Sequence, residues 1–193
     1  MSGIADWVTG HGYLLVFVTV TLELVGVPFP SETILIGAGA AAAAGTLDLA
    51  AVMAVAAVAA VLGACGGYAI GRVGGRPLLD RLVARGWPRQ QQLAGVERFF
   101  HRHGGKSLVG ARFIPFVRIF APWMAGAARM PLPRFAVWNV AGGVAWVLVV
   151  TTLGFVFGKS VARLEQGLGP AAAVAAVLVV AAAFTWHRVR AHR

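Results

Sequence analysis

Two acids and two arginines stand where an apolar chain should carry no charge. Glu23 closes one apolar stretch and Glu32 opens the next, while Arg112 and Arg118 bracket the apolar run Phe113 to Val117. A charge at the bilayer centre costs about 2.5–3.5 kcal/mol on insertion scales, so four of them must be paired or hydrated in a cavity. Arginine keeps its proton and offers a planar fork of donors that fits phosphate oxygens. Carboxylates in the same cavity can take up and release protons. This chemistry assigns an anionic head group to Arg112 and Arg118. It assigns protons to Glu23 and Glu32, or pairs them with the arginines when the site is empty. The plainer alternative is two structural Glu–Arg pairs that only hold their segments together.

The elements that must position these residues are membrane helices. Of the 193 residues, 59% are hydrophobic and 12% charged, against roughly 25% charged in soluble domains. The net charge is +10, from 17 basic and 7 acidic residues. Most of the basic residues flank apolar spans, as expected of loops held on the cytoplasmic side and attracted to anionic lipid. No nucleic-acid partner is expected. The one cysteine, Cys65, excludes an intramolecular disulfide or a cysteine-based metal cluster and is expected to pack. The first apolar run lacks a basic leader and a cleavage-like site, so no removed signal peptide is expected.

Along the chain, Trp7 to Glu23 enters the membrane and runs into Val27-Pro28-Phe29-Pro30-Ser31-Glu32, which cannot continue a regular helix. The apolar run Thr33 to Ala44 is too short to cross and is predicted to be re-entrant. Leu47 to Gly71 is long enough to cross, and its Gly63, Gly67 and Gly71 permit close packing within the chain or in a homodimer. Eight basic residues fall between Arg72 and Lys106. Leu78, Leu79, Leu82 and Val83, then Leu93, Val96, Phe99 and Phe100, recur there at helical spacing. Two amphipathic surface helices separated by Gly86-Trp87-Pro88 are predicted. Ser107 to Arg129, broken at Pro115 and Pro122, is a second re-entrant candidate. Phe135 to Gly158 and Pro170 to Trp186 are predicted to cross, and the chain ends on a basic tail.

An offset of 87 residues aligns the two halves without a gap. Val27-Pro28-Phe29 meets Ile114-Pro115-Phe116, Gly39 meets Gly126, and Gly67-Tyr68 meets Gly154-Phe155. Internal repeats are a transporter feature. A hairpin plus one crossing helix crosses an odd number of times, so the second copy is inverted. The predicted organisation is a single all-α membrane domain, 1–193. Repeat 1 covers approximately 23–72, an amphipathic cytoplasmic linker 73–106, repeat 2 approximately 107–159, and a C-terminal transmembrane helix 169–187. The hairpin around Pro28 then enters from outside and that around Pro115 from inside, with loop 72–106 and the C-terminus cytoplasmic.

Other residues carry weaker signals. Asn139, in an apolar helix, is expected to hydrogen-bond to a neighbouring helix. Trp123, Trp138 and Trp146 suit interface anchors or core packing. His101 and His103 face apart on a helix and form no metal site. Asp48 is expected to cap the helix that follows. No nucleophile–base pair, phosphate loop or zinc motif is present, so no enzyme and no cofactor are expected.

The stretch Glu23-Leu24-Val25-Gly26-Val27-Pro28-Phe29-Pro30-Ser31-Glu32 resembles the first signature of the DedA family, and Gly67-Tyr68-Ala69-Ile70-Gly71-Arg72 the second. Phe100-His101-Arg102-His103-Gly104-Gly105-Lys106 resembles the start of the third. It continues with Ala111 to Arg118, Pro122, Ala125-Gly126, Met130, Phe135, Asn139, Gly143 and Trp146. The resemblance implies a polytopic protein of the bacterial cytoplasmic membrane, in the group also called SNARE-associated or VTT. Such proteins are implicated in flipping undecaprenyl phosphate to the cytoplasmic leaflet, and some members in moving phosphatidylethanolamine, with proton-motive force contributing. The family's acidic pair falls on Glu23 and Glu32 and its arginine pair on Arg112 and Arg118. Pro28, Pro30, Ser31, Tyr68, Arg72, Pro115, Pro122 and Asn139 are supporting positions of the same signatures. The form of the first signature is closer to the undecaprenyl-phosphate branch. A general phospholipid scramblase and a proton-coupled exporter of small cations or drugs are the competing functions.

Overall fold

The computed structural model describes residues 2–27, 29–86 and 106–168, together with a few isolated positions between 90 and 98. The expected second amphipathic helix, most of the loop that holds it, the C-terminal crossing helix and Pro28 lie outside the described residues. Among the described residues the ordered structure is helical, with no strand. It comprises α1 (Ser2–Val25), α2 (Ser31–Ala43), α3 (Leu49–Ala84), α4 (Ser107–Ala111), α5 (Pro115–Ala127) and α6 (Leu132–Leu168).

Two stretches are long and apolar enough to cross a bilayer: Leu49–Gly75, with mean hydropathy 2.4, and Leu132–Arg163, with 2.1. Their outer faces carry exposed Val58, Leu62, Val140, Leu148 and Leu153. An apolar outer surface of this kind is stable when the surrounding solvent is lipid. α3 is broken at Gly75 (φ 56°, ψ −159°) just before Pro77, where the apolar run gives way to the amphipathic stretch. Beyond the break Leu79 is fully buried and Leu78 packs on the same cluster, so the first predicted amphipathic piece is helical.

α2 and α5 are 13 residues each, about 20 Å of helix, less than a bilayer core. The chain sets them off with proline: Pro30 precedes α2, and Pro115 opens α5, where a missing N–H costs nothing. At the head of α3, the Asp48 carboxylate accepts from the Ala51 amide at 2.7 Å, the cap expected from the sequence. Tyr13 on α1 accepts from the Asp48 amide at 2.9 Å.

The short helices pack across the chain rather than against their sequence neighbours. α2 lies mainly on α6, α5 mainly on α3, and α1 on α3. Glycine permits both crossings. A Cβ at Gly126 would strike the Tyr68 carbonyl and come within 2.7 Å of the Arg72 nitrogen, and one at Gly71 would strike the Trp123 carbonyl. A Cβ at Gly39 would strike the Thr151 carbonyl, and one at Gly154 that of Ile36. Backbones this close gain dispersion contacts that bulkier residues would forfeit. The main core joins Val16, Val20 and Leu24 of α1 to Leu35 of α2, Val52 and Ala56 of α3, and Trp146 and Val147 of α6.

Candidate functional site

The charges expected inside the membrane converge from three helices, but unevenly. Arg118, one turn into α5, sends Nη2 to Glu23 Oε1 at 2.5 Å and Nη1 to Glu32 Oε1 at 2.6 Å. Glu23 comes from the end of α1 and Glu32 from the first turn of α2. The Arg118 side chain is 3% exposed, that of Glu23 6% and that of Glu32 35%. Ser31 donates its hydroxyl to the second oxygen of Glu23. The Trp146 ring lies 4.8 Å from the guanidinium carbon, a cation–π contact that helps offset desolvation. The Arg118 Nε has no protein partner. Pro122 stands four residues on and brings no N–H, so the Arg118 carbonyl lacks its usual helical donor.

Arg112 sits in the turn between α4 and α5, equally buried, and meets no carboxylate among the described residues. Its Nη2 donates to Asn139 Oδ1 on α6 and to the Ala60 carbonyl on α3 at 3.4 Å, while its Nη1 is buried without a partner. The Asn139 amide nitrogen donates to the Val61 carbonyl at 3.2 Å and to Cys65 Sγ at 3.8 Å. Gly142 and Gly143 leave room for the arginine: a Cβ at Gly142 would come within 3.2 Å of its Cγ. Among the described residues one guanidinium is thus neutralised twice over and the other not at all.

Tyr68 and Arg72 stand apart from these charges. Tyr68 donates to the Met130 carbonyl at 2.5 Å and stacks on Phe135 at 4.4 Å, and Arg72 Nη1 donates to Tyr68 Oη at 3.2 Å and to Met130 O at 3.4 Å. They tie α3 to the α5–α6 turn. Trp123 and Trp146 are buried, so they are core residues and not interface anchors. Trp123 donates to the Val25 carbonyl at 3.0 Å and packs on Gly26, fixing the loop after Glu23 onto α5. Asn139 makes the interhelical bond expected of it. Its hold on Arg112 escaped sequence reasoning, although Asn139, Gly142 and Gly143 share one helix face at i, i+3 and i+4, a signal for a polar pocket. Among the described residues no cluster of His, Cys, Asp and Glu could hold a metal.

Comparison with known proteins agrees with this architecture. The VTT domain matches residues 29–156. The chain belongs to the VTT-domain family. It is 37% identical to Protein DedA of Escherichia coli over 80% of this chain and 74% of that protein. It is 36% identical to an "uncharacterized membrane protein" of Synechocystis over 81% of this chain and 71% of that one. A Mycobacterium tuberculosis protein of the same description is 38% identical over 77% of this chain and 70% of its own. No solved structure matches. The VTT-domain match takes in Glu32, Arg112 and Arg118, and begins just after Glu23. As a VTT-domain membrane protein, the chain carries three of the four charges within the matched domain.

Proposed function

We propose that this protein is a flippase for a polyprenyl lipid phosphate, undecaprenyl phosphate above all, in the bacterial cytoplasmic membrane, and that it carries protons together with the lipid's phosphate. The observation that carries this is the unequal treatment of the two arginines. Arg112 offers a buried donor with no partner and no counter-charge among the described residues, which suits a phosphate oxygen. Arg118 is occupied by Glu23 and Glu32, so it can take phosphate only when an acid lets go. Protonating Glu23 or Glu32 removes that competitor and frees donors of the same guanidinium. The lipid then bridges the two arginines while the acids hold protons, and release of the protons on the other side restores the ion pairs and expels the phosphate. Transport and proton movement are coupled because one cation serves two anions in turn.

The topology that suits this cycle has α2 and α5 as re-entrant segments entering from opposite faces, their tips meeting near the midplane. The loop 72–106 and the C-terminus are then cytoplasmic. The glycine crossings support an inverted repeat. Ile36 on Gly154 and Trp123 on Gly71 are equivalent contacts, with the short helices related by the 87-residue offset. The long helices are instead related by an offset of 83, one turn away from the ungapped alignment that sets Gly67 against Gly154. Most of the shift falls at the end of the short helix: α2 runs four residues past Gly39 and α5 one past Gly126, while the turns that follow differ by one residue.

The decisive experiment is transport of labelled undecaprenyl phosphate in proteoliposomes with and without a pH gradient. A flippase of this kind moves it faster with the gradient, and loses the acceleration in Glu23→Gln. Equal movement of phosphatidylethanolamine and undecaprenyl phosphate, indifferent to the gradient, would instead establish a scramblase.

A further inference from the structure

The two short helices end alike but are finished with different residues. α2 passes through Ala44 into Gly45, and α5 through Ala128 into Arg129. Both following residues lie at positive φ, 77° for Gly45 and 53° for Arg129. Helices often end on such a left-handed residue, and glycine is the usual occupant because a Cβ there crowds the carbonyl. Arg129 is the one non-glycine residue at positive φ among the described residues. Its amide closes the helix on the Gly126 carbonyl at 2.9 Å, a bond glycine would make as well. The turn itself therefore does not ask for arginine, and strain kept at a bulky residue points to a use for its side chain.

The neighbours say what that use is. Arg129 is exposed, as are Arg72 and Arg134. Arg72 Nη1 is fixed by Tyr68 and the Met130 carbonyl, next in the chain to Arg129. Arg134 follows one turn into the adjoining helix. Among the described residues none of the three makes an ion pair. Beside them Val73, Leu132 and Val137 are strongly exposed, at 89%, 58% and 65%. Guanidinium groups at the head of a bare apolar flank match a phosphate with hydrocarbon chains below it.

We propose that Arg72, Arg129 and Arg134 form a docking site for the phosphate of an anionic phospholipid at the membrane surface, apart from the buried charges. The site goes beyond the transport proposal and does not rest on it. Thermal unfolding of the purified full-length protein in detergent tests it, with added phosphatidylglycerol, phosphatidylcholine or inorganic phosphate as probes. Phosphatidylglycerol raises the wild-type Tm and the other two do not. Arg129→Gly raises the lipid-free Tm by about 2–4 °C, the value of relieving roughly 1 kcal/mol of strain in a chain of this size, yet loses most of the phosphatidylglycerol response. Arg129→Ala keeps the Cβ, gains no Tm, and loses the same response. Arg134→Gln leaves the lipid-free Tm unchanged and weakens phosphatidylglycerol binding about fivefold, the share of one basic residue near an anionic surface. A full phosphatidylglycerol response in Arg129→Gly and Arg134→Gln, an equal response to phosphatidylcholine or free phosphate, or a lower lipid-free Tm in Arg129→Gly would overturn the proposal.

Discussion

Arg112 and Arg118 lie on either side of Pro115, are six residues apart in sequence, and are buried to the same degree, 4% and 3% exposed. Around Arg118 the protein gathers two carboxylates, a serine that steadies one of them, and an indole face. Around Arg112 it gathers an amide oxygen, one backbone carbonyl and two glycines. The first pocket is electrostatically closed and the second is open. Breaking a buried pair is expensive because the survivor keeps its charge in a poor solvent, whereas an uncompensated guanidinium holds its charge ready for an incoming anion.

The largest effect should come from breaking the closed pocket. Arg118→Ala leaves Glu23 buried without its counter-charge, so it should cost about 3–5 kcal/mol and abolish lipid-phosphate transport. Unfolding in detergent and a proteoliposome assay measure the two losses separately. Glu23→Gln comes next. It removes the more buried of the two acids while Arg118 keeps Glu32, and should cost about 1–3 kcal/mol and end the response to a pH gradient. Converting the open pocket into a closed one is the sharpest test of the contrast. Asn139→Asp gives Arg112 a carboxylate but takes the donor from the Val61 carbonyl, so it should leave stability within about 1 kcal/mol of wild type while suppressing binding of the lipid phosphate. A variant that folds normally and still transports at the wild-type rate would remove the role given to Arg112. Glu32→Gln should have the smallest effect on stability, under about 1 kcal/mol, since that side chain is one-third exposed and solvent screens the pair.

Much of the outline could be read from the chain. Prolines at 30 and 115 mark where helices cannot continue, and the lengths of the apolar runs separate the two crossing stretches from the two short helices. The four charges stood out because apolar surroundings in the sequence make any charge conspicuous. Their unequal pairing did not, because Arg112 and Arg118 look interchangeable in sequence. The bend at Ile114 (φ −110°, ψ 107°) aims them into different surroundings, and the partners that distinguish them lie 27 to 95 residues away. Trp123 was ambiguous for a related reason: an indole suits an interface or a core equally well until its hydrogen-bond acceptor, here Val25 O, is known.

The distance along the chain between Glu23 and Arg118, 95 residues, has a consequence for biogenesis. At ribosomal speeds of roughly 5–20 residues per second, the acids leave the tunnel about 5–20 s before the arginine that neutralises them. During that interval α1 and α2 have neither their counter-ion nor the later long helix on which α2 is seated. They must be neutralised by protons or sheltered by the insertion machinery, and the first half becomes a settled membrane structure only once the second has been made.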